Sequence, residues 1–349
     1  MQRHHIVIAI ASAAVLAILL ALPKLTAEAP HHEFSATSYG FAAPYGVAFS
    51  GNDTFVSNEN GNSVFEFNTT TDALVRELRA KSYAFDTPQA LAISGGDAFV
   101  VNIGANTVTE FNTTTGALVR VIGGESYGFS GPRALAISGA DALVSNGNSI
   151  TEFNTTTGSL VRVLNAQRLG IHPLWESTLS GIAASGADAF VTNLGTNSVI
   201  EFNTTTGALV RVIGGGSYGF NSPVAIAISG HDAFVTNLGT NSVTEFNVAT
   251  GGLVRVIGNE SYGMNSPSDI AISGGDGFVT DNDSNSVTEF QVATGSLVRI
   301  IRAKKSAYAN PDYSDPSVIA ISGDDAFVMC DNSITEFRTT TGALIREMQ

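Results

Sequence analysis

Seven glutamates and seven arginines recur along this chain at one fixed separation. Glu66, Glu110, Glu152, Glu201, Glu245, Glu289 and Glu336 each stand ten residues before Arg76, Arg120, Arg162, Arg211, Arg255, Arg299 and Arg346. A ring of carboxylates could act on a substrate by moving protons. Catalysis, however, needs unlike groups around one reacting atom, and seven equivalent pairs lack that asymmetry. The expected role is structural: pairing across a β-hairpin or between neighbouring repeats.

The remaining chemistry is sparse. Asp281-Asn282-Asp283-Ser284-Asn285 spaces oxygen atoms as a calcium loop does, but the following glycine and a bidentate glutamate are missing, so calcium is only a weak alternative there. Of six histidines, His4, His5, His31 and His32 precede the repeats, and His172 and His231 have no partner at metal-ligand spacing. Cys330 is the lone cysteine, which excludes an internal disulfide. At the end of an apolar run it reads as a small buried thiol. Asn68, Asn112, Asn154 and Asn203 each open Asn-Thr-Thr, which fits a glycan acceptor, although turn chemistry explains the same residues.

The elements that carry these groups follow from the repeat itself. A phrase close to S-G-x-D-A-F-V-T-N-x-x-x-N-S-V-T-E-F-N-x-x-T-G-x-L-V-R-V-I opens on Asp53, Asp97, Asp141, Asp188, Asp232, Asp276 and Asp325, at intervals of 44, 44, 47, 44, 44 and 49 residues. In one copy, Pro88 to Ile93, Ala98 to Val101, Thr107 to Phe111 and Ala117 to Ile122 are short apolar or alternating β runs (strands A to D) between turn signals. Four strands per mid-forties repeat predict one propeller blade each, hence an all-β, seven-bladed β-propeller of four-stranded antiparallel blades. The blades are expected near residues 38–81, 82–125, 126–172, 173–216, 217–260, 261–307 and 308–349. The recurring Phe of strand B, as at Phe99, is core. Asn62, Asn106 and their equivalents before strand C are expected to bond their own turn. The first repeat begins at strand A and the last ends after strand D, so blades 1 and 7 are expected to meet without an exchanged strand, unless residues 31–37 add one.

The runs Phe190-Val191-Thr192-Asn193 and Phe234-Val235-Thr236-Asn237, each followed by Asn-Ser-Val and a Thr-Gly turn, resemble YVTN-type propeller repeats. The approach Tyr218-Gly219-Phe220-Asn221-Ser222-Pro223 is also similar to NHL repeats. The resemblance covers residues 38–349 and implies an extracytoplasmic or scaffold protein that binds other molecules. Streptogramin lyases, gluconolactonase-like enzymes and peptidyl-amidating lyases share the general architecture, with acidic residues or histidines holding a metal in the channel. This sequence departs from them because its histidines lie elsewhere.

In such a frame, strand A lines the channel, and a binding site is expected where the repeat is broken on the face shared by the D–A and B–C loops. The second position of strand A reads Tyr45, Gln89, Arg133, Ser180, Val224, Ser268 and Ser317, with Asp269 following in blade 6. Tyr45, Gln89, Arg133 and Asp269 are therefore candidate ligand contacts. Trp175, the only tryptophan, joins them from the irregular loop before blade 4. Asp281 and Asp283 are the alternative metal ligands.

A net charge of −14 argues against nucleic acid and anionic lipid as partners. Residues 1–30 carry Arg3, an uncharged apolar run from Ile6 to Leu22 and Ala27-Glu28-Ala29, the layout of an export signal or an N-terminal membrane anchor. Residues 31–37 form a short linker. The expectation is a secreted, periplasmic or surface-anchored monomer, a non-enzymatic binding module for a protein or small ligand. A cation-dependent lyase or lactonase and an envelope structural protein are the alternatives.

Overall fold

The computed structural model describes residues 39–79, 81–165, 167–171, 178–258, 260–302 and 315–349. The export segment, the linker, His172, Trp175 and most of the loop before blade 7 lie outside the described residues. Among the described residues, twenty-eight strands form seven four-stranded antiparallel sheets, each in sequence order. In blade 2 the strands are A (Pro88–Ser94), B (Asp97–Asn102), C (Thr107–Asn112) and D (Leu118–Gly123). They run one residue past the sequence expectation at several ends, because the turn Asp and Asn also pair across the hairpins.

Strands A of successive blades pack on one another all the way round, blade 7 on blade 1 included, so strand A is innermost and strand D outermost. Strands A to C bury both faces against neighbouring blades, while strand D is largely exposed, and this stacking is how short strands without a core of their own become stable. Phe99, Phe190 and Phe234 of strand B are fully buried, and each meets a strand C Phe of the following blade, Phe153, Phe246 and Phe290, at ring centroid distances of 5.9–6.0 Å.

The Glu–Arg pairs do both things expected of them. Within a blade, Glu110 lies opposite Arg120 in the C–D ladder, and Arg Nε stands 3.0 Å from the carboxylate. The same guanidinium then reaches the C–D turn of the next blade, as from Arg120 to the Thr156 carbonyl at 3.0 Å. All seven arginines repeat this reach, and Arg346 returns it to the Thr69 carbonyl of blade 1. The D–A connections add a second tie. Tyr127 Oη donates to the Gly158 carbonyl at 2.7 Å, with equivalents at Tyr39, Tyr83, Tyr218 and Tyr262.

The seam between blades 7 and 1 uses these ties and more. Tyr39 N donates to the Gln349 carbonyl, and Ala43 N donates to that of Asp331 at 2.9 Å. Phe49 and Phe327 pack across it at 5.2 Å. Blade 7 is built wholly from the last four strands and blade 1 from the first four, so no strand is exchanged among the described residues.

One turn expectation is corrected. Asn62 and Asn106 sit at φ 50 and 53, and their side chains do not close their own turn. Instead Thr87 N donates to Asn62 Oδ1 and Gly131 N to Asn106 Oδ1, both on the approach to the following blade. The left-handed backbone aims the side chain across the gap. The Asn-Thr-Thr turns behave as expected: Asn112 Oδ1 accepts from Thr115 N, while its Nδ2 donates to Gly96 O and Asp97 Oδ1.

Candidate functional site

Backbone hydrogen bonds sort the loops into two faces. Ile103 N and Gly104 N of a B–C loop donate to Thr87 O and Asp86 O of the D–A connection beside it. Thr113 N of a C–D turn donates to Gly96 O of an A–B turn. The D–A and B–C loops thus share one face, and the A–B and C–D turns the other. His231 lies in an A–B turn, on the face opposite the loops.

At the loop-face mouth, the second position of strand A is partly exposed between buried neighbours. Tyr45, Gln89, Ser180, Val224, Ser268 and Ser317 are half-buried, and Arg133 is exposed. This ring is where the repeat loses its symmetry. Tyr45 packs on the apolar cluster of the seam. Gln89 Nε2 donates to Glu59 Oε1 in the B–C loop of blade 1 at 3.2 Å. The Ser317 hydroxyl donates to the Met329 carbonyl at 3.2 Å, and the Ser268 hydroxyl to the Pro316 carbonyl at 3.1 Å. The backbone of Arg133 is fixed by its N–H to the Ser145 carbonyl at 2.8 Å. Its guanidinium has no ion pair or hydrogen bond among the described residues.

Asp269 is placed elsewhere. It is fully buried, and its Oδ2 accepts from Ile319 N of blade 7 at 3.0 Å, while Oδ1 has no partner. The reason is strand alternation: the third position of strand A faces the next blade, not the channel. Five other blades keep that position small, with Gly46, Ala90, Ala134, Gly181 and Ala225, and blade 7 has Val318 there. A Cβ on Gly46 would lie 2.2 Å from the Gln89 carbonyl, and one on Gly181 2.5 Å from that of Val224. Asp269 is a carboxyl group wedged between inner strands, and burial pushes it up to about 8, against the pull of two backbone N–H donors. A row of small residues at one phase of strand A was the sequence signal for this close approach.

The candidate cation ligands also part company. Asp281 is fully buried at the end of strand B, where the Thr288 hydroxyl donates to its Oδ2 at 2.6 Å, and burial raises it to about 7. It replaces an Asn that in other blades bonds the same strand C hydroxyl, as Asn102 does with Thr109. Asp283 instead accepts from the Ser266 hydroxyl on the loop. Among the described residues, no three His, Cys, Asp or Glu side chains converge as metal ligands. Cys330 is buried, and desolvation raises its thiol to about 12.

The repeated glutamates are structural by their surroundings. Their side chains are 1–2% exposed in the pairs with arginine. Desolvation raises Glu110, Glu152 and Glu289 to about 7 and Glu336 to about 8, although the paired arginine pulls the other way.

No family model matches the chain, and no curated protein matches it. Solved structures do. The computationally designed Ika8 protein superposes with a TM-score of 0.65 at 17% identity, covering 90% of each chain. A streptogramin B lyase superposes with a TM-score of 0.69 at 16% identity, covering 87% of this chain and 96% of that one. At these identities the likeness speaks for the fold alone, and the seven four-stranded sheets of this chain define its class, a seven-bladed β-propeller.

Proposed function

We propose that this protein is an exported, non-enzymatic binding module that presents the loop-face mouth of its channel to a protein or small ligand. One observation carries the reading. The repeated charged side chains are committed to holding blades together, whereas the mouth ring breaks the repeat with chemically distinct groups, Tyr45, Gln89 and Arg133. An asymmetric polar rim on a rigid frame is what selective binding requires, because little order is lost on association. The resemblance of the repeats to YVTN and NHL types supports a binding role. Residues 1–30 support export, to a secreted, periplasmic or anchored location.

A thermal-shift screen of small ligands and candidate partner proteins, run on the full chain and on Gln89→Ala with Arg133→Ala, tests the proposal. Molecules that stabilise the wild type are expected to lose that effect in the double variant. Stabilisation that survives both substitutions would place binding away from the mouth.

A further inference from the structure

We propose that the mouth holds an oxyanion, a carboxylate or phosphate group of the ligand, between the Arg133 guanidinium of blade 3 and the Ser180 hydroxyl of blade 4. The inference rests on the loop-face reading and names the chemistry of the ligand. Most donors on the ring are already committed: Gln89 to Glu59, Ser268 to Pro316 and Ser317 to Met329. Arg133 and Ser180 stand next to each other around the ring, and neither side chain has a hydrogen-bond partner among the described residues.

Arg133 is also unlike the repeated arginines. Those seven each hold a buried glutamate and a carbonyl of the next blade, so their guanidinia are unavailable. The Ser180 backbone is fixed in place, since its carbonyl accepts from the Ser145 hydroxyl at 2.6 Å, and Ser145 also accepts from Ala134 N beside Arg133 at 3.1 Å. One buried serine therefore ties together the two backbones that carry the free donors. A planar guanidinium and a hydroxyl both donate, and the group that satisfies two donors beside a positive charge is an oxyanion. In a chain of net charge −14, an exposed arginine at the mouth also gives an anion a local point of attraction.

Titrating the full chain with sodium benzoate and, separately, with inorganic phosphate, by calorimetry at constant ionic strength, tests this. At least one anion is expected to bind, and the tighter of the two identifies the class of headgroup. Arg133→Gln should weaken that binding roughly tenfold or more, and Ser180→Ala by about threefold to tenfold. Arg79→Gln, which alters an exposed arginine paired with Glu77 beyond strand D, should leave it unchanged. Far-UV circular dichroism and melting of each variant establish that the fold is kept. Failure of both anions to bind, or wild-type affinity in Arg133→Gln, would overturn the proposal. If both anions fail while partner binding is still lost in Gln89→Ala with Arg133→Ala, the oxyanion assignment alone is wrong. If partner binding survives that double variant, the loop-face reading is wrong as well.

Discussion

Arg346, on the last strand, is ion-paired with Asp72, in the C–D turn of the first blade. Six other blades have glycine at the position of Asp72, and each of those glycines sits at positive φ, as Asp72 does at 54. The departure from glycine falls at the one junction that chain connectivity does not hold. Arg346 also keeps the pairing of its own repeat, with Glu336, and reaches the Thr69 carbonyl. The seam is thus the regular inter-blade tie with one added carboxylate.

Replacing Arg346 should cost more than replacing any other arginine of the series. Arg346→Met leaves Glu336 buried and Asp72 half-buried without their cation, whereas Arg76→Met strands Glu66 alone. Removing one partner of a buried pair costs about 3–5 kcal/mol, and the seam variant is expected at the upper end. Urea unfolding of the two variants checks the order.

Asp269 makes a pH prediction with a definite sign. Its carboxyl is raised from 3.8 to about 8 in the folded protein, so the native state holds a proton that the unfolded chain has released. Its contribution is fully present below the unfolded pKa and is lost as pH rises towards 8. Asp269→Asn keeps the acceptor for Ile319 N and removes the titration. The variant is expected to melt above the wild type at pH 8, by the equivalent of at least about 1 kcal/mol, with the gap closing towards pH 4. Melting curves across this range measure it.

The inner strands leave no room at Gly46. Gly46→Ala would press its Cβ on the Gln89 carbonyl and near Leu91 N, both backbone atoms of the next blade. A loss of about 1–3 kcal/mol is expected. Because Gln89 belongs to the mouth ring, ligand affinity should fall with stability. Alanine at Gly51, where a Cβ meets nothing within 4 Å but φ is +61, separates backbone strain from crowding.

The blades were legible because the period, the turn residues and the strand patterns agree in every copy. The Glu–Arg pairing was legible for the same reason, since a constant ten-residue offset puts both residues opposite each other on one hairpin. Sequence misplaced Asp269 because adjacent strand positions point to different surroundings, and one residue separates the channel from the blade interface. The Asp281–Asp283 run straddles a strand end, so its two carboxylates turn to Thr288 and Ser266. The reach of Asn62 to Thr87 depends on the neighbouring blade, which no local spacing encodes.

Cys330 should behave as packing. It is 1% exposed, and its thiol is pushed up to about 12 by burial. A thiol reagent at pH 8 is expected to label it only as fast as the protein opens, and at once in denaturant. Rapid labelling of the native chain would show an accessible thiolate instead.

The most direct test of a binding module against a cation-dependent channel enzyme is the metal content of the purified full chain, with its melting curve before and after chelation. The proposed function predicts no stoichiometric divalent ion and an unchanged melting temperature. A bound ion at one per chain, with melting lowered by the chelator, would contradict it.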